Sequence, residues 1–222
     1  MGKIALVIGA TGLIGRNLVF ELLKNPNYTQ VIVLVRRDMV IKHEKFTQIM
    51  LDFSQLKNYE DKIVADHVFC CMGSTSAKTP DKENYRRIDF DIPLQIAEIA
   101  FRNGAQSFLL VSSMGANLQS SIFYSRLKAE LEVAIEKIGF KTVFVLRPSL
   151  LLGNRLESRP LETITQYLMR VMNPIFIGPL KLYKAIKGET VAKALMHAAL
   201  SEKIGNNLIL NNEIFELADA AK

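Results

Sequence analysis

Short apolar runs alternate with longer stretches of helical periodicity from the first residues of the chain. Ile4–Ile8 is an uninterrupted apolar run closed by Gly9. Leu13 to Leu23 then sets Ile14, Leu18 and Leu22 at i, i+4 and i+8, the spacing of one helix face, and Asn25-Pro26-Asn27 stops it. Strand-sized runs recur at Val31–Val35, Gln48–Leu51, His67–Cys71, Phe108–Val111 and Thr142–Leu146. Between them, Asn84 to Arg102 and Phe123 to Ile138 carry helical patterns ended by Asn103-Gly104 and Gly139. Pro93 inside the first of these predicts a kink or a break into two helices. Strands that are apolar on both faces, alternating with amphipathic helices, indicate an α/β fold: a doubly wound parallel sheet covered on both sides. After residue 149 the rhythm weakens. A helix is expected at Leu161–Met172, a turn at Asn173–Pro179, a helix at Gly188–Leu200 and a short strand at Leu208–Leu210. The pattern predicts one domain over 1–222, with 149–222 contributing a small substrate-side cap.

The first strand–helix junction reads Gly9-Ala10-Thr11-Gly12-Leu13-Ile14-Gly15. Its spacing is GxxGxxG, and it lies between a predicted strand and a predicted helix, which is the setting a phosphate loop needs. Gly9 would permit the tight turn, Gly12 the approach of backbone to a pyrophosphate, and Gly15 close packing of the helix. The free N–H groups and positive dipole end of the helix would then face the phosphates. These features predict a Rossmann-type dinucleotide site, to which Gly9, Thr11, Gly12, Leu13, Ile14 and Gly15 contribute.

A carboxylate at the end of the second strand would hold the ribose 2′-hydroxyl of NAD. Here Val31–Val35 runs into Arg36-Arg37, with no acid before Asp38. Two guanidinium groups suit a 2′-phosphate, which they can grip with paired hydrogen bonds. The expected cofactor is NADPH. Asp52-Phe53, after the third strand, is expected beside the adenine.

Tyr124-Ser125-Arg126-Leu127-Lys128 sets Tyr124 and Lys128 four residues apart, on one helix face. An ammonium near a phenol favours its ionised form and fits Tyr124 for proton transfer near neutral pH. Ser112-Ser113 follow the fifth strand, at the carboxyl edge where open α/β sheets bind ligands, so a hydroxyl there can hold a substrate carbonyl. YxxxK alone is also what an ordinary amphipathic helix displays. Its order after a phosphate loop and a serine-tipped strand is what points to catalysis.

Composition narrows the alternatives. Lys and Arg number 28 against 22 Asp and Glu, a net charge of +6 that favours an anionic ligand. There is no long basic run and no nucleic-acid-binding motif, so nucleic acid is not expected as a partner. No apolar run is long enough to span a membrane. The strand pattern begins at once, leaving no room for a signal peptide, and a cytoplasmic location is the expectation. Cys70-Cys71 are strand neighbours that point to opposite faces, so no disulfide joins them. His43, His67 and His197 are dispersed without metal-ligand spacing, and no metal is expected.

The order of these parts resembles the short-chain dehydrogenase/reductase superfamily in its atypical or extended branch. More closely, the chain is similar to the HIV Tat-interacting protein 2-like oxidoreductases. The residues concerned are Ser112-Ser113-Met114-Gly115-Ala116, Phe123-Tyr124 with Lys128, Arg147-Pro148, Leu151-Leu152 to Arg155, and Glu157-Ser158-Arg159-Pro160. The resemblance implies a Ser–Tyr–Lys site in which Ser113 orients the carbonyl, Tyr124 donates the proton, and Lys128 binds the nicotinamide ribose and tunes Tyr124. Pro148 would lie near the nicotinamide. Two departures stand out. Ser113 and Tyr124 are closer in sequence than in most such enzymes, which leaves Ser112 open as the serine. Cys71-Met72-Gly73 replaces the usual Asn-Asn-Ala-Gly after the fourth strand, placing Cys71 and Gly73 among the expected cofactor contacts.

Arg86-Arg87, Lys78, Arg155 and Arg159 fit a solvated face or ion pairs better than a substrate site. Tyr167, Met169, Met172 and Phe176 fit a cap pocket or ordinary core. The first expectation is an NADPH-dependent reductase or dehydrogenase for a small carbonyl or alcohol. The second is a non-catalytic NADPH-binding regulator with a protein partner, and a homodimer fits either. A sugar-nucleotide epimerase or dehydratase ranks third, because the short C-terminal portion leaves little room for a nucleotide sugar.

Overall fold

The computed structural model describes residues 2–74, 79–152 and 182–220. Seven parallel strands form one sheet: β1 Lys3–Ile8, β2 Tyr28–Val35, β3 Phe46–Met50, β4 His67–Cys70, β5 Ser107–Val111, β6 Thr142–Arg147 and β9 Gly205–Leu210. Their order is β3-β2-β1-β4-β5-β6-β9. The expected doubly wound parallel sheet is therefore present. A two-residue parallel pair, β7 Leu151–Leu152 with β8 Ile186–Lys187, lies outside it.

Alternation along the strands builds two cores. Ala5 and Val7 join Val31, Val33 and Val35 on one face, while Leu6 and Ile8 join Ile32 and Leu34 on the other. Both sets are shielded from water, which is why the strands read as continuous apolar runs. The first face is covered by α1 Leu13–Lys24, α5 Gly188–Leu200 and α6 Asn211–Asp219. The second is covered by α3 Ile92–Arg102 and α4 Phe123–Glu136. Cys70 lies in the second core, whereas Cys71 packs against the first, and both thiols are free.

The long helical pattern between β4 and β5 is interrupted, as Pro93 suggested, but by a π turn. Helix α2, Lys82–Arg86, runs into a π segment, Arg87–Asp91, and then into α3. The Ile92 N–H reaches the Arg87 carbonyl five residues back. Pro93 sits in the first turn of α3, directly after the π segment.

Three elements differ from the sequence pattern. A kinked 3-10 segment occupies Phe53–Lys62, a strongly polar stretch without clear periodicity. The last strand is longer than Leu208–Leu210, because the edge position of β9 tolerates the polar residues Asn206 and Asn207. Helix α6 follows it directly. The described residues after 182 therefore complete the sheet and its cover: β9 pairs with β6, and α5 packs on α1 and α6. The expected helix at 161–172 and turn at 173–179 lie outside the described residues.

Candidate functional site

The chain reverses direction across the sheet between β1 and β4, since β1 pairs with β2 on one side and β4 on the other. The loops leaving these two strands open a crevice at their carboxyl ends. Gly9 has φ +76°, and a side chain there would lie 2.5 Å from the Cys71 carbonyl group. Gly15 is equally constrained, since its Cβ would stand 2.2 Å from the Gly9 carbonyl oxygen. Glycine at both positions lets the start of α1 lie against the β1 turn and that turn against the β4 loop. Gly12 is the N-cap of α1 and provides no side-chain cap, and its own N–H donates to the Gly9 carbonyl at 3.0 Å. The next N–H groups, of Leu13, Ile14 and Gly15, stand in the first turn, where a helix has no acceptors of its own. No acidic residue occupies that turn, and Thr11 and Gly12 are exposed beside it. This cradle fits a pyrophosphate.

Arg36 and Arg37 leave the buried end of β2 into solvent. The nearest acid in sequence is engaged elsewhere: Asp38 accepts the Val40 N–H at 2.8 Å and the Gln48 amide at 2.6 Å. The Val40 hydrogen bond, then that of Gln48, holds the Asp38 carboxyl below its usual range. Asp52, two residues after the third strand, caps the 3-10 segment by accepting the Ser54 N–H at 2.9 Å. That bond is the chief reason its carboxyl is held low, with a smaller contribution from Arg87. Phe53 turns inward onto the second core.

The proposed reacting groups gather around α4. Tyr124 is half-buried with its ring edge-on to Tyr85, and Lys128 lies one turn on. The Lys128 ammonium is 6.0 Å from the centre of the Tyr124 ring. It is almost wholly buried, and it forms an ion pair at 3.1 Å with Asp89, whose side chain is fully buried. Burial works against the Lys128 charge. The Asp89 carboxylate, helped by Tyr124 and Cys70, outweighs it and raises the ammonium above its ordinary value. Asp89 also accepts the Ser74 N–H at 2.7 Å, so it fixes the loop after β4. Lys128 donates to the Met72 carbonyl at 3.4 Å, and a Cβ on Gly73 would lie 3.7 Å from both Lys128 and Asp89. Cys71-Met72-Gly73 thus sits against the lysine head, while burial pushes the Cys71 thiol well up, out of the range of a reactive thiolate.

The two serines separate. Ser112 is buried and donates its hydroxyl to Glu132 in a short hydrogen bond. Ser113 is half-buried and, among the described residues, accepts a long contact from the Gly115 N–H, at 3.4 Å. The chain after it is tied to the end of β6 by Met114 N–H to the buried Pro148, at 3.1 Å. Arg86 pairs with Glu130 at 2.9 Å and stacks on Phe90, in line with a structural role. Lys78, Arg155, Arg159, Tyr167, Met169, Met172 and Phe176 lie outside the described residues.

Asp89 and Glu132 were not singled out from sequence. Both had a signal: each is an acid on a buried helical stripe, Asp89 between Tyr85 and Ile92 and Glu132 between Lys128 and Ile135. An acid in such a place requires a cationic or hydrogen-bonding partner.

The sequence matches the NAD dependent epimerase/dehydratase family over residues 5–183. The chain belongs to this family. Among its relatives is the protein HTATIP2 of Rattus norvegicus, 30% identical over 215 residues, covering 95% of this chain and 87% of that one. The mitochondrial protein fmp52-1 of Aspergillus terreus is 33% identical over 214 residues, covering 93% and 90%. A UDP-N-acetylglucosamine 4-epimerase from Methanobrevibacter ruminantium M1, solved with UDP-N-acetylmuramic acid, superposes with a TM-score of 0.72 at 18% identity. The match covers 97% of this chain and 80% of that one and shows the shared fold. The resemblance read from Ser112–Ala116, Tyr124, Lys128 and Arg147-Pro148 is borne out. This member of the epimerase/dehydratase family has an NAD(P)-binding, oxidoreductase-like fold with a nicotinamide dinucleotide as its cofactor class. The expectation of a cytoplasmic location is overturned, because fungal relatives are named as mitochondrial proteins. Composition and the strand at the start report on folding in water, not on the compartment. No described helix is long and apolar enough to cross a membrane.

Proposed function

We propose that this protein is an NADPH-dependent reductase or dehydrogenase acting on a small carbonyl or alcohol, in the mitochondrial setting of its fungal relatives. The observation that carries this reading is the buried Lys128 ammonium, fixed by Asp89 beside Tyr124 at the crevice next to the glycine cradle. In this reading the first turn of α1 holds the pyrophosphate and Arg36-Arg37 grip the 2′-phosphate. Asp52 and Phe53 border the adenine, and Cys71, Gly73 and Pro148 border the nicotinamide end. When bound, NADPH supplies the hydride. Tyr124 holds the proton destined for the carbonyl oxygen, and Lys128 provides the positive charge behind it. Ser113 donates a hydrogen bond to that oxygen, because Ser112 has already committed its proton to Glu132.

Two measurements test this. Fluorescence titration should give NADPH binding at least tenfold tighter than NADH, with most of the difference lost in Arg36→Ala/Arg37→Ala. Equal affinities would overturn the cofactor assignment. NADPH oxidation against a panel of small aldehydes and ketones should fall about 100-fold or more in Tyr124→Phe. Activity untouched by that substitution removes Tyr124 from the reaction, and tight NADPH binding without turnover on the panel favours a regulatory protein instead.

A further inference from the structure

We propose that Glu132 is the positioning residue of this site, a single buried carboxylate that ties together the three segments carrying the reacting groups. The inference rests on the catalytic reading above and assigns a role to a residue that reading does not use. Glu132 lies on α4, one turn beyond Lys128 and two beyond Tyr124. One carboxylate oxygen accepts the Ser112 hydroxyl and the Arg147 Nε–H, the latter at 3.0 Å. The other accepts from Arg147 Nη2 at 2.5 Å. The Glu132 side chain is 7% exposed and that of Arg147 23%. Ser112 precedes Ser113 at the end of β5, and Arg147 precedes Pro148 at the end of β6. The backbone carries the same stitch, with Ser112 N–H donating to the Leu146 carbonyl at 2.8 Å. Every segment that brings a proposed reacting group to the crevice from this side is thus bonded, one residue or one or two helical turns away, to the same carboxylate.

The physical case is one of geometry rather than stability. A buried ion pair gains little over apolar residues of similar volume, because desolvating both charges offsets their attraction. A bidentate guanidinium–carboxylate pair does, however, fix distance and angle on both sides. The Ser112 hydroxyl adds a third direction. Together they oppose sliding or rotation of α4 along the sheet, the motion that would carry Tyr124 and Lys128 away from Ser113. A displacement of about 1 Å in such a constellation can lower turnover about 100-fold.

The test uses the full chain and two variants, Glu132→Gln and Glu132→Met/Arg147→Met. The first should lower kcat for NADPH oxidation by between about 10- and 100-fold, while the Kd for NADPH and the KM of the carbonyl change less than about twofold, since the bonds lost at Glu132 are to Ser112 and Arg147 and not to the phosphate cradle. The second replaces the pair by apolar volume, so its unfolding midpoint should return close to that of the parent while kcat stays low. Wild-type kcat in Glu132→Gln, or recovery of kcat together with stability in the double variant, would overturn the proposal. A turnover-free readout separates this from failure of the catalytic reading. With tyrosines labelled at 13Cζ and the Tyr124 resonance assigned by Tyr124→Phe, that resonance should shift or broaden in Glu132→Gln. An unmoved resonance refutes the positioning role whether or not the parent turns over.

Discussion

Asp89 and Lys128 have left water together, and neither can lose the other without consequence. Removing the carboxylate strands an ammonium that pairs with no other carboxylate among the described residues. Asp89→Ala should therefore destabilise the fold by about 3–5 kcal/mol, measured by urea unfolding at pH 7.5. Asp89→Asn keeps an acceptor for the Ser74 N–H and should lose less. The pH dependence fixes the cause. In the parent, Asp89 raises the Lys128 ammonium above its ordinary value, so its stabilisation is complete at neutral pH and is lost only as pH rises through the raised value. In either variant the Asp89 contribution is gone and burial, the largest influence on Lys128, lowers the value, so the unfolded chain binds the proton more tightly than the folded one. Raising the pH then relieves the penalty. The deficit between variant and parent should shrink steadily from pH 7.5 toward pH 10.5, and a deficit independent of pH would assign the effect to packing instead. The same pair tempers the reading of Tyr124, because Asp89 offsets part of the positive field that Lys128 projects toward the phenol.

At the level of elements, the π turn at Arg87–Asp91 and the tight start of α1 are what shape the crevice. The π turn carries the Asp89 carboxylate between Lys128 and the β4 loop. Sequence reading foresaw an interruption there from Pro93, but not its type, because a proline marks where a regular helix must adjust and not how. The alternation of strands and helices was legible nearly throughout, since burial of the strands on both faces imposes the pattern directly, and Gly188–Leu200 matched to the residue. The 3-10 segment and α6 were not, because neither presents a long apolar stripe. Of the site, Gly9 to Gly15 and Tyr124 with Lys128 were legible as motifs. Neither Asp89 with Lys128 nor Glu132 with Arg147 was read as a pair, because each partnership depends on contacts between elements distant in sequence. Gly15 gives the sharpest prediction at this scale. Alanine favours a helix, yet its Cβ would stand 2.2 Å from the Gly9 carbonyl oxygen and 2.9 Å from the Ala10 Cα, all backbone with no rotamer to yield. Gly15→Ala should leave the far-ultraviolet circular dichroism unchanged while NADPH affinity falls at least about tenfold, a 1.4 kcal/mol effect. Unaltered affinity would show that the start of α1 does not touch the dinucleotide.

At the scale of the molecule, the last part of the chain closes the sheet and also braces the site. Asn211, fully buried at the start of α6, accepts the Ser149 N–H at 3.0 Å and donates to the Lys184 carbonyl at 2.8 Å. Ser149 donates its hydroxyl to the same carbonyl, at 2.5 Å. One side chain thereby joins three stretches that are remote in sequence: the segment after Pro148, the segment entering β8, and the first turn of α6. Asn211→Ala removes both of these side-chain bonds and leaves the partly buried Ser149 N–H and Lys184 carbonyl without that partner. Losing the two bonds should cost about 1–3 kcal/mol, or roughly 2–10 °C in Tm for a chain of this size. The loss should be local before it is global. Hydrogen exchange should quicken first at Ser149–Leu152, Ala185–Lys187 and the start of α6, while β1, α1 and β2, which take no part in the two bonds removed, keep their protection. If exchange instead rises evenly across the sheet, the C-terminal unit is not a separable brace, and the site's stability is that of the whole parallel sheet.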